Sequence, residues 1–424
     1  MYELINRIVR LLKKIVPEPI VRPLRPAYHY ALAFLMAVSY GFPARRLTVL
    51  GIGGTKGKST VSEMVFAILR EAGYTPALIG TIRFAVGAES VPNMFKMTMP
   101  GRGFIQRHLA QALKKGATHA VVELTTEGAR EYRHLFLYPA IMVMTNVQKE
   151  HIESHGSFEK YVARKWEIVR ELERSPKRQA IIANQDDAWN ARFVDASVPL
   201  RIPYSISDLE NIDTSHHQVS FSYKHERFQV PMPGAFNAVN ALAALKVAEA
   251  LAIPLETARR ALAHLPTVRG RVELIDAGQD FAAVVDYAHT PDSLHALYEA
   301  FREQRKICVL GNTGGGRDTW KRPEMGSIAD EACEKVILTN EDPYDEDPQA
   351  IVDAMARGMK RVPEIIMDRR TAIRTALRAA RAGDAVLISG KGTDPFIMGA
   401  HGTKEPWDDA RVVREELERL LAQN

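Results

Sequence analysis

Between Thr48 and Val61 the chain reads TVLGIGGTKGKSTV: an apolar run, a glycine-rich turn carrying two lysines, then hydroxyls opening a helical period. Glycines let backbone N–H groups face phosphate oxygens, and the N-terminus of the following helix adds positive potential. Lys58 is placed to reach terminal phosphates, and Ser59 offers a hydroxyl to Mg2+. The strict Walker spacing fails, because Ile52 stands where its first glycine belongs. Strand, loop and helix are all in order, so a nucleotide phosphate site is expected at Gly53–Thr60.

Other polar groups follow apolar strands. VVELTTEG puts Glu123 at a strand end, where a carboxylate suits a hard cation. TNVQKEHIESHG offers His151 and His155, but Ile152 stands where a zinc protease needs glutamate, and no PCxxC follows as a deaminase would require. Lys165, mid-helix in YVARKWEIV, reads on its own as a solvated lysine. In the second half, VVDYAHTPDS carries Asp286, Tyr287 and His289. VLGNTGGGRDTWKRPEMG carries Arg317, Asp318, Lys321 and Arg322. LTNEDPYDEDP and ISGKGTDPF end two further strands. Each alone fits a solvated turn; their shared place at strand ends points to a ligand.

The elements that must position these groups read as α/β. A P-loop-type central domain with a mostly parallel sheet is expected over 47–267, with strands at HAVVEL, AIMVMTN and QAIIAN. Alternation between Ser205 and Pro233 predicts a small hairpin. A Rossmann-like C-terminal α/β domain is expected over 268–424, with buried strands FAAVVDY, KICVLGN, EKVILTN and AVLISG.

A short helical segment, 1–46, precedes them; it holds eight Lys/Arg against two Glu, while the whole chain is only +5. The basic balance therefore belongs to this segment, and nothing suggests a nucleic-acid channel. It is not a secretory signal, and its apolar run is shorter than the ~20 residues a spanning helix needs. Two helices packed on the body are the favoured reading. A basic amphipathic helix in weak contact with an anionic membrane surface is the other. Cys308 and Cys333 form no CxxC pair, so neither a disulfide framework nor a thiolate zinc site is expected, and a reducing, cytoplasmic setting fits.

In order, GGTKGKST, VELTTEG, TNVQKEHIESHG, YVARKW, GAFNAVNALAA, RGRVE, VVDYAHTPDS and GGGRDTWKRPEMG resemble the Mur ligase family, most closely its MurE branch. The resemblance runs from about residue 47 to the C-terminus. It implies an ATP- and Mg2+-dependent ligase that activates a carboxylate as an acyl phosphate and joins it to an amino acid, acting as a monomer. It implies nucleotide contacts at Gly54, Thr55, Lys56, Gly57, Lys58, Ser59, Thr60, Asn237, Asn240, Arg271 and Asp286. Metal ligation falls to Ser59, Glu123 and His151, with Lys165 as the carbamylated lysine of many members; Lys58, His151 and Lys165 are the catalytic set. Substrate contacts fall to Thr98, Thr125, Thr126, His289, Arg317, Asp342, Tyr344, Gly390 and Asp394.

The family's N-terminal UDP-binding domain has no counterpart in the sequence, and the diaminopimelate signature DNPR is Glu341-Asp342-Pro343-Tyr344. Tyrosine cannot supply the bidentate charge of arginine. The acceptor is thus a muramyl peptide, a lipid-linked one, or a non-UDP acceptor as in the folylpolyglutamate and cyanophycin branches. A P-loop phosphotransferase or NTPase, or a non-catalytic scaffold, are the readings outside this class.

Overall fold

The computed structural model describes residues 18–150, 155–215, 217–316 and 318–423. The chain packs as two compact units. One takes in the chain up to Val147 with Glu159–Tyr204 and Ala243–Leu255; the other takes Gln148–Phe158, Ser205–Leu242 and Glu256 onward.

The first unit is built on an eight-stranded sheet of order β4-β3-β2-β5-β1-β6-β7-β8. Its strands are β1 Thr48–Gly53, β2 Pro76–Ile79, β3 Arg83–Val86, β4 Glu89–Pro92, β5 His119–Glu123, β6 Pro139–Met144, β7 Ala180–Asn184 and β8 Leu200–Tyr204. The strands β2, β5, β1, β6, β7 and β8 run parallel, and β3–β4 add an antiparallel edge. Residues of β1, β5, β6 and β7 are almost all buried, the mark of a sheet covered on both faces. The edge hairpin and β8 escaped the sequence reading: β4 is exposed along its whole length and β8 alternates, so neither shows a continuous apolar run.

In the second unit, β9 Glu210–Thr214, β10 Val219–Tyr223 and β11 Glu226–Val230 form an antiparallel sheet, one strand larger than the expected hairpin. Its β10–β11 turn is Lys224-His225, both with positive φ (49° and 65°), a two-residue turn made without glycine.

The main sheet of this unit has order β12-β13-β17-β14-β15-β16. Its strands are β12 Glu273–Leu274, β13 Ala282–Val285, β14 Lys306–Leu310, β15 Lys335–Leu338, β16 Glu364–Ile365 and β17 Ala385–Ile388; a small pair, β18 Phe396–Met398 with β19 Lys404–Pro406, lies apart. Alternate residues of β14 face opposite layers. Cys308 and Leu310 join the core under the helices Pro291–Ala300 and Lys321–Ala332, while Ile307 and Val309 meet Arg369–Ala379 and Asp409–Leu421.

One expectation is corrected here. Cys308 and Cys333, 25 residues apart, are joined as a disulfide with Cα atoms 6.1 Å apart. The crossover from β14 through the helix Lys321–Ala332 brings the helix end back beside the strand, a proximity that residue spacing alone does not reveal.

Candidate active site

The polar motifs fall where parallel strands end. In the first unit β5, β1 and β6 are neighbours, and their C-terminal ends carry Glu123, the glycine loop and Thr145-Asn146. Asn146 pins the loop: its Oδ1 accepts from the Thr55 and Lys56 N–H groups at 3.2 and 2.8 Å, and its Nδ2 donates to Lys56 O at 3.2 Å. The Thr145 hydroxyl donates to the same carbonyl at 2.6 Å. Gly54 has φ 139°, and a Cβ there would lie 1.9 Å from Thr145 Oγ1. Only glycine can pass this point, which leaves the backbone open to a phosphate.

Gly57, with φ 79°, turns the chain into the helix Lys58–Glu71. Lys58 folds back so that Nζ donates to the carbonyls of Gly54 (3.2 Å) and Thr55 (2.8 Å). Its head thus lies over the loop that the resemblance assigns to phosphates.

Ser59, in the first turn, donates to Glu123 Oε2 at 3.0 Å. Thr81 N–H donates to the other oxygen at 2.9 Å, and its hydroxyl donates to Oε2 at 2.7 Å. That hydroxyl also lies 3.0 Å from Thr98 Oγ1. A continuous polar chain therefore links the start of the phosphate-loop helix to Thr98, one of the residues expected to contact substrate. Hydroxyl and carboxylate oxygens are hard donors suited to Mg2+, which keeps several waters and shares phosphate oxygens, so few protein ligands suffice.

Lys165 is not the solvated lysine its helical position suggested: it is 2 % exposed. It lies on the inward face of Phe158–Glu173, with Nζ 4.7 Å from the centre of the Tyr161 ring. The Tyr161 hydroxyl is in turn 2.9 Å from Thr55 Oγ1, so one tyrosine bridges loop and lysine. Thr125 caps the short helix Thr126–Arg130, accepting from Gly128 N–H at 3.1 Å, and the Thr126 hydroxyl donates to Glu127 at 3.3 Å.

In the second unit β13, β17, β14 and β15 are neighbours with polar ends. Asp286, after β13, accepts from the Val272 and Ala288 N–H groups, both at 2.7 Å. Arg271 lies with Cζ 4.6 Å from the Tyr287 ring centre. The negative charge of Asp394, and after it burial, hold the Tyr287 phenol protonated far above its ordinary range. His289 Nε2 is 2.9 Å from Glu150 Oε1, and Nδ1 is 2.6 Å from Tyr287 O. Asn237 is buried, donating to Pro233 O at 2.7 Å and accepting from Asn240 at 3.1 Å.

Lys391, fully buried, donates to Asp342 at 2.8 Å and lies 3.8 Å from Asp394. Glu341 accepts from Thr313 at 2.7 Å through Oε1, while Oε2 is buried without a partner among the described residues. Burial, then the neighbouring Asp342, raises its pKa. A Cβ on Gly390 would lie 2.3 Å from that oxygen. Tyr344 has φ 51°, and its N–H donates to Met398 O at 3.0 Å.

Thus Gly54–Thr60, Thr98, Glu123, Thr125, Thr126 and Lys165 share the first unit, and Asn237, Asn240, Arg271, Asp286, His289, Asp342, Tyr344, Gly390 and Asp394 the second. His151 and Arg317 lie outside the described residues. Sequence reasoning missed Thr81, Asn146, Tyr161, Glu341 and Lys391. Asn146, directly after the strand AIMVMT, gave the clearest overlooked signal.

The Mur ligase middle domain matches residues 52–248, and the Mur ligase glutamate ligase domain matches 270–392. A UDP-N-acetylmuramyl-tripeptide synthetase of Roseiflexus sp. (strain RS-1) is 37% identical over 96% of this chain and 85% of its own length. A UDP-N-acetylmuramoyl-L-alanyl-D-glutamate–2,6-diaminopimelate ligase of Caldanaerobacter subterraneus subsp. tengcongensis is 34% identical over 91% of this chain and 81% of its own. Among solved structures, a diaminopimelate ligase of that kind gives a TM-score of 0.60 at 28% identity, covering 88% of this chain and 79% of its own. A folylpolyglutamate synthase of Mycobacterium tuberculosis shares the fold, with a TM-score of 0.69 at 15% identity over 93% of this chain and 95% of its own. With a phosphate loop, a hard-donor carboxylate and two matched domains in one chain, this protein belongs to the Mur ligase family of ATP-dependent ligases.

Proposed function

We propose that the chain joins an amino acid to the carboxylate of a muramyl-dipeptide acceptor at the expense of ATP, as its relatives' names describe for them. The observation that carries the reading is the chain Ser59–Glu123–Thr81–Thr98, which ties the phosphate loop to the stretch expected to meet the acceptor. The acceptor carboxylate attacks the γ-phosphorus and ADP leaves. The incoming amine then adds to the acyl carbon, phosphate departs, and the amine loses a proton.

Lys58 moves from its loop carbonyls to the transferring phosphoryl group and offsets its charge. Ser59, Glu123 and His151 would hold Mg2+, which would supply charge neutralisation of the phosphates. Lys165 would carry a carbamate, which would turn its buried cationic head into an anion. Asn237 and Asn240 present amide edges to adenine, and Arg271 and Asp286 meet the nucleotide. Thr98, Thr125 and Thr126 meet the acceptor; His289, Arg317, Asp342, Tyr344, Gly390 and Asp394 form the amino-acid side. Tyr344 brings no positive charge, so a side chain ending in an amine, such as lysine, fits better than one ending in carboxylate. The reaction is placed in the cytoplasm, with the monomer as the acting species.

An ADP-release screen of lysine, diaminopimelate and glutamate against UDP-muramyl dipeptide and a folyl acceptor tests the reading. Release that requires both UDP-muramyl dipeptide and an amino acid is the expected result. Release that needs neither a carboxylate nor an amine would instead identify a P-loop phosphotransferase or NTPase.

A further inference from the structure

The helix Glu18–Ser39 has two apolar faces, where a surface helix should have one. Leu32, Ala33, Met36 and Ala37 are buried on the side that meets the body, where the helix packs along Arg102–Lys114. On the other side Leu24, Tyr30, Phe34, Leu35 and Val38 are 42–61% exposed. Five of the fourteen exposed large apolar side chains of the described residues thus crowd into fifteen positions. Ala27 and Ala31 lie between them, also exposed, so the stripe is unbroken at helical spacing and ~21 Å long. A patch of this kind marks an interaction surface.

Aromatic rings widen the stripe beyond the helix. Phe34 lies 5.7 Å from Phe136 and 6.1 Å from Phe42, and Tyr30 lies 6.3 Å from Tyr132 between ring centres. Arg45 sits over Phe42 at 4.4 Å, and Arg46 beside it is exposed. The sequence flanking this helix is basic. No Asp or Glu occurs between Glu18 and Glu63, and residues 1–17 add Arg7, Arg10, Lys13 and Lys14 against a single Glu3. Apolar stripe, amphipathic aromatics and the exposed Arg45 and Arg46 within a basic stretch of sequence together match an interfacial helix on anionic lipid.

We propose that this face docks the protein on an anionic membrane surface, independently of what the ligase acts on. The helix lies in the interface with Leu24, Phe34, Leu35 and Val38 towards the acyl chains and Arg45 and Arg46 at headgroup level. No described helix is long and apolar enough to cross the bilayer, so the contact is peripheral.

Co-sedimentation of the full chain with phosphatidylglycerol/phosphatidylcholine vesicles, and with pure phosphatidylcholine vesicles, tests this. Binding to the anionic vesicles at least tenfold tighter, weakening with salt, is expected. L35D/V38D should lose tenfold or more of it while keeping wild-type circular dichroism. R45S/R46S, which leaves the apolar stripe intact, should weaken binding to the anionic vesicles alone. Failure of the wild-type chain to sediment at low salt overturns the proposal, as does unchanged binding by L35D/V38D. So does a concentration-dependent dimer in light scattering that L35D/V38D abolishes, since the face would then belong to a second copy.

Discussion

The two polar clusters are built differently. Around the glycine loop, the groups held in place are mainly backbone. Thr55 and Lys56 amides are fixed by Asn146, a strained glycine clears the way, and the Glu123 carboxylate already accepts three hydrogen bonds. Around β14, β15 and β17, the polar groups are mainly side chains. A buried lysine holds Asp342, and Glu341 keeps one buried oxygen without a partner among the described residues. If, as proposed, the first cluster meets phosphates and the second an amino acid, backbone suffices for the invariant phosphates, whereas side chains are needed to tell one amino acid from another. The first cluster should therefore fail wholesale when touched, and the second should change its preference.

The largest effect belongs to Lys58→Ala. Removing the one head seated over the loop should lower ADP formation by ~10³-fold or more, the scale seen for charge-neutralising groups in phosphoryl transfer. Steady-state ADP release with saturating acceptor and amino acid reads it. A loss under tenfold would mean that the backbone alone carries the phosphate.

Next is Lys165→Ala, expected to cost ~10²-fold, with partial recovery on adding acetate or formate. Recovery identifies an anion as the missing group, since a lysine cation could not be replaced by a carboxylate. Activity that stays at wild-type level without any added acid removes the carbamate assignment.

A smaller, selective effect is expected in the second cluster. Tyr344→Arg should shift the ratio of kcat/KM for diaminopimelate over lysine upward by ~10-fold or more while leaving KM for ATP near wild type, as a bidentate guanidinium pairs with the distal carboxylate. An ATP defect instead would show that the two clusters are not separable. The left-handed backbone at Tyr344 is already uncommon for a non-glycine residue, so arginine adds little new strain there.

Much of this was legible because parallel strands announce themselves. The runs around β1, β5, β6, β13, β14, β15 and β17 are mostly apolar and buried, and Thr145, Asp286, Thr339 and Ser389 directly follow four of them. That Glu123 and the glycine loop stand at strand ends could be read from one dimension. Lys165 could not: its burial depends on Tyr161 and on which side of the helix meets the sheet, and a lysine among charged neighbours reads as solvent-facing. Thr81 gave no signal either, since it follows a strand of only four residues and its partner Glu123 is 42 residues away. The disulfide and the outer apolar face of the first helix share that limit, because both are defined by what a residue meets across the fold.

The smallest effect on activity is expected at a third place, neither cluster. A cavity of about 10 Å3 behind the central sheet is lined by Gly51, Leu124, Met142 and Ile168, with His134 and Glu171 on its wall. Burial lowers His134 from 6.5 to about 4 and raises Glu171 from 4.5 to about 7, where Phe136 N–H donates to it at 3.2 Å. The signs oppose. His134 is kept neutral in the fold, so its share of stability is full above 6.5 and is lost as pH falls towards 4. Glu171 is kept protonated, so its share is full below 4.5 and is lost as pH rises towards 7. Between 4.5 and 6.5 the unfolded chain binds about one proton more at His134 and one fewer at Glu171, and the slopes nearly cancel. Thermal melts should show Glu171→Gln losing stability as pH falls from 6.5 to 4, and His134→Leu losing it as pH rises from 4.5 to 7. Each slope amounts to ~1–3 kcal/mol over its window, the partly exposed Glu171 at the lower end. Parallel slopes in the two variants would mean that these groups do not titrate against each other. ADP release at pH 7.5 should be untouched in both, which separates this buried pair from the two clusters proposed to do the chemistry.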